Sequence, residues 1–478
     1  MNKTHEQWGS RLGFLLAAVG SAIGLGVLWK FPYIAGENGG GLFLFTYFMC
    51  LIVIGIPVLI GELLLGRTTQ HAAVGAFEVL AKSRDHWKIA GWLGVISSFL
   101  IMSFYSVIAG WGMSYVLMSL TGFYHNLSSN EIAEVFEQLS HSGSITLLWH
   151  FLFTAIAMGI VISGVRKGIE KWAKVMTRAL FIMLFALFLY SLSLKGFKEA
   201  LHFVFYPDIA EFKFSSALEA LGLAFFTLSL GQGIMISYGS YVQKEESIPY
   251  MSCIIGASVI FIAMLAAMTI FPVVFTFGFT PQQGSGLVFK ILPYLFAQLP
   301  GSMVISTIFF TLFVFTALTS AIPFMEVITA NTMQLFHWPR TRSALIMALS
   351  TFLFGIPSAF AFSHKIFPSW QYIYGRNFLD TIDSLVSIWL IPIGGLLTSL
   401  FIGWSLKKEI ARSVFASSKR GQYCYQIWHF FMKWIIPLTI LLIILQKSGL
   451  IDFDHYFQKE VKNDTHTLQY EPTLSKST

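Results

Sequence analysis

Long apolar windows constrain this sequence more than any other feature, because about 20 consecutive apolar residues match the thickness of a bilayer. Hydrophobic residues make up 55% of the chain and charged residues only 12%, which excludes a soluble globular protein. The sequence therefore predicts an all-α polytopic membrane protein. Eleven transmembrane helices are expected, called spans 1 to 11 below, at residues 12–35, 41–65, 89–121, 145–164, 174–194, 215–241, 252–277, 302–336, 344–362, 379–405 and 428–446.

Positive charge is concentrated in alternate connections between these spans. The positive-inside rule makes the side that carries these residues cytoplasmic. They are Arg67, Lys82, Arg84, Lys88, Arg166, Lys167, Lys171, Lys174, Arg340, Arg342, Lys407, Lys408, Arg412, Lys419 and Arg420. We expect a cytoplasmic N-terminal segment, 1–11, and a polar C-terminal tail, 447–478, outside. The formal charge of +7 follows from this topology, so no nucleic-acid partner is expected.

Span 1 is punctuated by residues that weaken an α-helix, namely Gly20, Gly24, Gly26 and Pro32. Backbone that leaves the helix at membrane depth is tolerated only where it lines a protected cavity or binds a ligand. Span 6 carries a similar cluster, formed by Ser229, Gly231, Gln232 and Gly233. Glycine-interrupted spans at matching places in two halves point to the midplane site of an inverted-repeat transporter. Close helix packing through small residues is the alternative, and the repetition of the pattern favours the transporter.

Ionisable residues inside spans are expensive and suggest function. Glu62, near the inner end of span 2, either faces the basic connection or accepts hydrogen bonds from the free amides of a broken helix. Lys30 and Asp383 lie toward the outer ends of spans 1 and 10. They either form a pair that opens and closes an outer vestibule, or extend separately to the membrane surface.

Span 8 contains three hydroxyl residues in an otherwise apolar sequence, Thr316, Thr319 and Ser320. Such hydroxyls usually bond to their own helix or to a neighbouring one. Opposite unwound carbonyls of Gly20 and Ile23, they would instead complete an all-oxygen cage for a hard cation. Tyr105 in span 3 needs a partner for its hydroxyl if it is buried, and a core tyrosine is the simpler interpretation.

The sequence contains no nucleotide-binding loop, metal-binding cluster or nucleophile elbow. Its three cysteines, Cys50, Cys253 and Cys424, are too scattered for a disulfide framework and are expected to be packing residues. The chain is therefore not expected to be an enzyme.

Several motifs, in order and spacing, resemble the neurotransmitter:sodium symporter family and especially its bacterial LeuT-type amino-acid transporters. They are GSAIGLGVLWKFPYIAGENGGGLF, GIPVLIGELLLGR, FFTLSLGQG with SYGSYV, FTALTSAI and FLDTIDSLV. The resemblance implies a LeuT-type 5+5 inverted repeat with broken helices 1 and 6. The first five-helix repeat would be 12–194, the second, inverted repeat 215–405, and the eleventh helix 428–446. It also implies a bacterial plasma (inner) membrane; the oligomeric state stays open.

The same resemblance implies where ligands bind. The substrate site would comprise Ser21, Ala22, Leu25, Gly26, Ile101, Tyr105, Phe226, Thr227, Ser229, Gln232, Ser320 and Phe324. A Na⁺ site would take Gly20, Ile23, Thr316, Thr319 and Ser320. Lys30 and Asp383 would form the outer gate, with Lys where the family usually has Arg, and Trp8 and Tyr241 the inner one. Gly24 stands where monoamine carriers have an acidic residue, which favours an amino acid as the substrate.

Departures from the family pattern concern a second Na⁺ site, which would use Ala22, Val27, Thr227 and Ser258. Val27 and Ser258 stand where the family has asparagines, and valine offers no side-chain oxygen, so this site is doubtful. Leu223 replaces a glutamine of the chloride site in animal relatives, so no chloride is expected. His5 and Gln334 occupy the positions of a charged pair that usually latches the cytoplasmic side.

The sequence therefore predicts a symporter that imports a neutral, apolar or aromatic amino acid by alternating access, with one intact Na⁺ site. Two alternatives are a Na⁺-independent exchanger of the same fold and a non-transporting amino-acid sensor.

Overall fold

The computed structural model describes residues 6–81, 85–122, 127–206, 213–279, 284–363, 365–415, 421–452 and 454–455, and it is almost entirely helical. Ten of the described helices are long and apolar enough to cross a membrane. Their bounds are Arg11–Glu37, Gly41–Thr69, Lys88–Leu120, Gly143–Ile162, Val165–Ser191, Ile248–Thr276, Ser302–Phe336, Arg340–Ala359, Trp370–Ser405 and Gly421–Lys447. They correspond to spans 1 to 5 and 7 to 11.

Span 6 is absent from those ten because it consists of two short helices, Phe214–Thr227 and Ile234–Ser240. The backbone between them turns through left-handed conformations, with φ of 55° at Ser229 and 72° at both Gly231 and Gly233. Glycine adopts such values freely. The expected total of eleven crossings therefore depends on counting this helix pair as one.

Span 1 is interrupted at one residue. Gly24 has φ 25° and ψ −176°, and a π-helical turn, Gly26–Lys30, follows it. Gly20 and Pro32, also expected to interrupt the helix, lie within helical backbone. Gly20 has a packing role instead, because a methyl group there would lie 2.6 Å from the Thr177 hydroxyl.

Three span starts lie seven or more residues before the predicted ones, and one of them is that of span 10, which begins at Trp370 instead of residue 379. Span 5 begins nine residues earlier, at Val165, because a π-helical turn, Val165–Glu170, carries its basic start. Span 11 begins at Gly421, seven residues early, because its first turns are helical but polar on one face. Shorter described helices are Ala73–Ala81, Asp85–Trp87, Ser129–His141, Phe197–Phe205, Gly284–Leu287, Ile291–Ala297 and Lys408–Ser413.

The centre of the molecule is built by spans 1, 3, 6 and 8. Span 8 packs along span 3, and span 1 packs against spans 8, 5 and 7. The connection between spans 7 and 8 contributes the buried side chains of Leu287, Phe289 and Leu292 in its described part. Tyr115 of span 3 donates a hydrogen bond to the Phe289 carbonyl at 2.7 Å. Both helix breaks therefore lie inside a packed bundle.

Candidate functional site

A small cavity lies where the breaks of spans 1 and 6 face spans 3 and 8. Its volume is about 10 Å³, the space of about one water molecule. It is lined by Ser21, Ala22, Gly24, Leu25, Gly26, Tyr105, Phe226, Thr227, Ser229, Ser320 and Phe324. All these residues are uncharged, so an amino acid that enters must bring both of its own charges and must move the lining side chains apart.

Most of the residues predicted to bind substrate line this cavity, and two do not. Ile101 is buried in span 3 outside the lining. Gln232 is also buried, and its carbonyl accepts a hydrogen bond from Ser98 at 2.8 Å. Gly24, expected from the sequence to weaken the helix and to favour an amino-acid substrate, is itself part of the wall.

Gly24 is placed where a side chain would fill the site. A methyl group at Gly24 would lie 2.6 Å from the Ser320 hydroxyl and 3.8 Å from the Tyr105 hydroxyl. Tyr105 accepts a hydrogen bond from the Leu25 amide at 3.2 Å, just beyond the break. The Tyr105 hydroxyl therefore has a partner at the break, and it also lines the cavity.

Serine hydroxyls join the two breaks. Ser21 and Ser229 are 3.1 Å apart between their hydroxyl oxygens. Ser320 of span 8 donates to the Ser21 carbonyl at 2.9 Å. These contacts bring three spans together through groups that can equally bind a ligand.

The residues expected to hold Na⁺ meet between spans 1 and 8. A methyl group at Gly20 would lie 3.2 Å from the Thr319 β-carbon, and Ile23 is fully buried on the same helix. Thr319 donates to the Thr316 carbonyl at 2.9 Å. Its hydroxyl oxygen still has lone pairs, and hydroxyl and carbonyl oxygens are ligands of the type that hard cations prefer.

The proposed second Na⁺ site is less complete. Val27 is fully buried and supplies no side-chain oxygen. Ser258 lies half-buried on span 7 beside the exposed Ala257, whereas the next residue, Val259, is fully buried. The structure therefore does not bring Ser258 into the core, because it lies one position off the inward face of its helix. Thr227 lies at the cavity, as expected.

Glu62 supports the break in span 6. Its carboxylate is fully buried and accepts a hydrogen bond from the Gly231 amide at 2.7 Å. This is the second of the two arrangements considered from the sequence. An amide that left the helix is thereby satisfied without water.

The outer side is closed by an ion pair. The Lys30 ammonium lies 2.9 Å and 3.1 Å from the two carboxylate oxygens of Asp383. The same ammonium lies 4.8 Å from the ring centre of Phe226, which lines the central cavity. Lys30 therefore contacts a residue of the cavity wall, and the ion pair lies directly outside it.

A second cavity, of about 190 Å³, lies beside this ion pair. Lys30 and Asp383 form part of its wall, and Glu219 and Lys447 form another part. Asn38 donates to the Glu219 carboxylate at 3.2 Å. The sequence analysis assigned no role to Glu219 or Lys447, so the contribution of span 11 to the outer vestibule was missed.

The inner side is closed by Trp8. Its indole donates to the Tyr238 carbonyl at 3.0 Å, and its backbone amide donates to the Tyr241 carbonyl at 3.1 Å. Its ring meets Phe14, Tyr238 and Tyr241 edge to face. The N-terminal segment is thereby bound to span 6.

A charged network lies behind Trp8. Arg340 pairs with the fully buried Glu326 at 2.7 Å and with Glu6 at 2.8 Å. Tyr241 donates to Glu326 at 2.5 Å. His5 and Gln334, which stand where the family usually has a charged latch, do not supply this network: His5 is outside the described residues, and Gln334 accepts from the Ala72 amide at 3.0 Å. Glu326 was missed, although a carboxylate inside an apolar span is a clear signal.

Two interrupted helices, with a closed cavity between them and a charged closure on each side, define a secondary transporter of the broken-helix type. The profile of the sodium:neurotransmitter symporter family matches residues 5–131 and 123–457. The chain belongs to this family, and it is a sodium-dependent symporter.

Individual relatives support this family assignment. An uncharacterized sodium-dependent transporter of Bacillus subtilis (strain 168), YhdH, is 38% identical over 448 residues, which cover 94% of this chain and 98% of that protein. An uncharacterized sodium-dependent transporter of Haemophilus influenzae is 32% identical over 457 residues, which cover 93% of this chain and 98% of that protein. The crystal structure of MhsT in complex with L-phenylalanine superposes with a TM-score of 0.85 at 39% identity, over 93% of this chain and 100% of that chain. The chain therefore has the LeuT fold.

Proposed function

We propose that this protein imports a neutral, apolar or aromatic amino acid together with one Na⁺, by alternating access. The observation that supports it best is the contact between Ser320 and the Ser21 carbonyl beside the break in span 1. Ser320 lines the substrate cavity and is also the neighbour of Thr319, so the substrate and ion sites share one turn of span 8.

The chemistry of the cavity supports an amino acid with an uncharged side chain. Every side chain in its described lining is neutral, and burying an unpaired charge there would be costly. The Tyr105 hydroxyl and the Leu25 amide that donates to it, directly after Gly24, are groups suited to a carboxylate. The rings of Tyr105 and Phe324, 5.7 Å apart, offer an apolar surface. The bound phenylalanine of MhsT belongs to the same substrate class.

One ion supplies enough free energy for accumulation. A membrane potential of 100 mV contributes about 2.3 kcal/mol per charge, and a tenfold concentration gradient adds about 1.4 kcal/mol. Coupling also requires Na⁺ to bind the outward-facing state more tightly than the inward-facing state, because equal affinity for both would shift nothing.

The test is amino-acid uptake into proteoliposomes with an imposed Na⁺ gradient, compared with K⁺. The double variant Thr319→Val/Ser320→Ala should lose gradient-driven uptake, because both hydroxyl oxygens of the ion site are removed. The matched control is Ser306→Ala/Thr307→Val, which deletes the same two groups elsewhere in span 8 and should transport normally.

Other outcomes would change the assignment. Uptake by the Thr319/Ser320 variant equal to that of the control would remove the ion site. A rate of counterflow driven by unlabelled substrate that does not depend on Na⁺ would indicate an exchanger. Thermal stabilisation by an amino acid without any vesicle uptake would indicate a sensor.

A further inference from the structure

A basic groove lies between the end of span 10 and the first half of span 11. Its volume is about 410 Å³, and Lys408, Arg412, His429 and Lys433 contribute to its wall. The described residues that line it include no acidic side chain. The groove lies outside the transport pathway, on the side that the distribution of positive charge predicts to be cytoplasmic.

At the groove, the two helices approach each other closely at one small residue. A methyl group at Gly403 would lie 2.7 Å from the Lys433 α-carbon. Trp404 donates from its indole to the Lys433 carbonyl at 3.2 Å. Each contact falls in a π-helical turn, Phe401–Ser405 and Phe431–Ile435. The side chain of Lys433 is therefore held at a fixed place in the groove.

Lys433 is an unusual residue at this position. It lies within a helix apolar enough to cross a membrane, where a cation normally needs a partner. Among the residues that the structure describes, it has no acidic group within ion-pair distance. Its ammonium lies 4.2 Å from the ring centre of Trp404 and 5.4 Å from that of Trp434. Such contacts compensate only part of the loss of hydration.

The surroundings of Lys433 are those of a membrane interface. Trp404 and Trp434 are 53% and 51% exposed, so both face outward from the bundle, and tryptophan is enriched at the level of lipid head groups. Gln422, Gln426, His429 and Lys433 recur every three or four residues along span 11, which places them on one face of the helix. A polar path therefore runs from the helix start to Lys433.

We propose that this groove binds the phosphate head group of an anionic phospholipid, with Arg412 and Lys433 as its main cationic contacts and Trp404 and Trp434 against the acyl chains. Charge complementarity and the outward-facing tryptophans favour a lipid over a soluble ligand. Basic pockets between membrane helices on the cytoplasmic side are suited to such head groups.

The experiment measures lipid retention by the purified, full-length transporter. The detergent-solubilised protein is exchanged with phosphatidylglycerol or phosphatidylcholine, and bound lipid is counted by native mass spectrometry. Wild type should retain phosphatidylglycerol selectively. The variant Arg412→Gln/Lys433→Gln should bind it about thirty-fold more weakly, since each basic side chain near the surface contributes roughly a factor of five.

The matched control is Lys171→Gln/Arg178→Gln, which removes two exposed positive charges from span 5 and should retain the lipid as wild type does. Lys433→Arg should also retain it, because the charge is kept, and this variant guards against a folding defect in the double variant.

Three results would overturn the proposal. One is equal retention by the groove variant and the control. A second is equal thermal stabilisation by inorganic phosphate and by phosphatidylglycerol, which would indicate a free-anion site. A third is a lower oligomeric state in the groove variant than in wild type without lipid loss, which would indicate that a second copy of the chain covers the groove.

Discussion

Gly24 shows how much of the site depends on one missing side chain. It lies at the only interruption of span 1, in a backbone conformation that side chains rarely adopt, and it faces the hydroxyls of Ser320 and Tyr105. Both the unwound backbone and the room for a substrate carboxylate therefore depend on glycine.

Replacing this residue should abolish transport. Gly24→Ala introduces a methyl group 2.6 Å from the Ser320 hydroxyl and adds backbone strain of about 1–3 kcal/mol. We expect Na⁺-driven uptake to fall at least about tenfold, as 1.4 kcal/mol corresponds to a factor of ten. Gly159→Ala is the control, because a methyl group there meets nothing within 4 Å. Normal uptake by Gly24→Ala would contradict the assignment of this break as the substrate site.

At the residue scale, the sequence motifs predicted which residues lie at the cavity better than they predicted which face of a helix points inward. Tyr105 and Phe324 are at the cavity because their motifs fix their place in a helix, and Ser229 is there because its motif marks the break in span 6. Ser258 lies half-buried beside the inward face of span 7, and an apolar run could not show this, because one step along a helix turns a side chain by about 100°. Lys433 was overlooked because the residues next to it in the sequence, 430–432 and 434–436, are apolar.

At the scale of elements, the break in span 6 is held open by a neighbouring span. The Gly231 amide reaches the Glu62 carboxylate across 169 residues of sequence. An unsatisfied amide in this interior would cost about 1–3 kcal/mol, so the shape of span 6 depends on span 2.

Two substitutions at Glu62 separate this role from simple packing. Glu62→Leu removes the acceptor and should lower the free energy of unfolding by about 1–3 kcal/mol, with loss of substrate binding. Glu62→Gln keeps an acceptor oxygen and should retain most of both. Thermal unfolding and ligand-induced stabilisation measure the two quantities. Equal behaviour of the two variants would show that the Gly231 contact is dispensable.

The sequence predicted helix positions closely and helix interruptions only in part. Apolar length located the spans because hydrocarbon thickness sets it. Glycine content could not show that Gly24, rather than Gly20, breaks span 1, since both residues allow either packing or unwinding. The early start of span 11 escaped detection because its first turns carry polar residues.

At the scale of the whole molecule, the transport pathway is closed at both ends. Lys30 and Asp383 close the outer side, and Trp8 with the Arg340 network closes the inner side. Each closure joins parts of the chain that are far apart in sequence. Opening one end without the other therefore requires selective loss of one set of contacts.

Weakening the inner closure should weaken Na⁺ binding from a distance. Arg340→Met leaves the fully buried Glu326 unpaired and favours the inward-facing state. Linkage then requires a lower Na⁺ affinity if the ion prefers the outward-facing state. We expect the Na⁺ concentration for half-maximal thermal stabilisation to rise about fivefold or more.

The control for this experiment is Arg342→Met. Arg342 is exposed and lies over the Trp338 ring, away from Glu326, so its loss should leave the Na⁺ dependence unchanged. An unchanged Na⁺ dependence in Arg340→Met would mean that the Arg340 network stabilises the fold without taking part in coupling.

The bond between Glu62 and Gly231 also bears on biosynthesis. A ribosome delivers the second membrane helix long before the sixth, so the carboxylate is already in place when the glycine-rich segment enters the bilayer. Span 2, in the earlier half of the polypeptide, thus supplies the hydrogen-bond acceptor that the break in span 6 requires. A truncated polypeptide that ends before residue 231 would leave the Glu62 carboxylate without the Gly231 amide as its donor. The later half expressed alone would lack the carboxylate acceptor that stabilises the break in span 6.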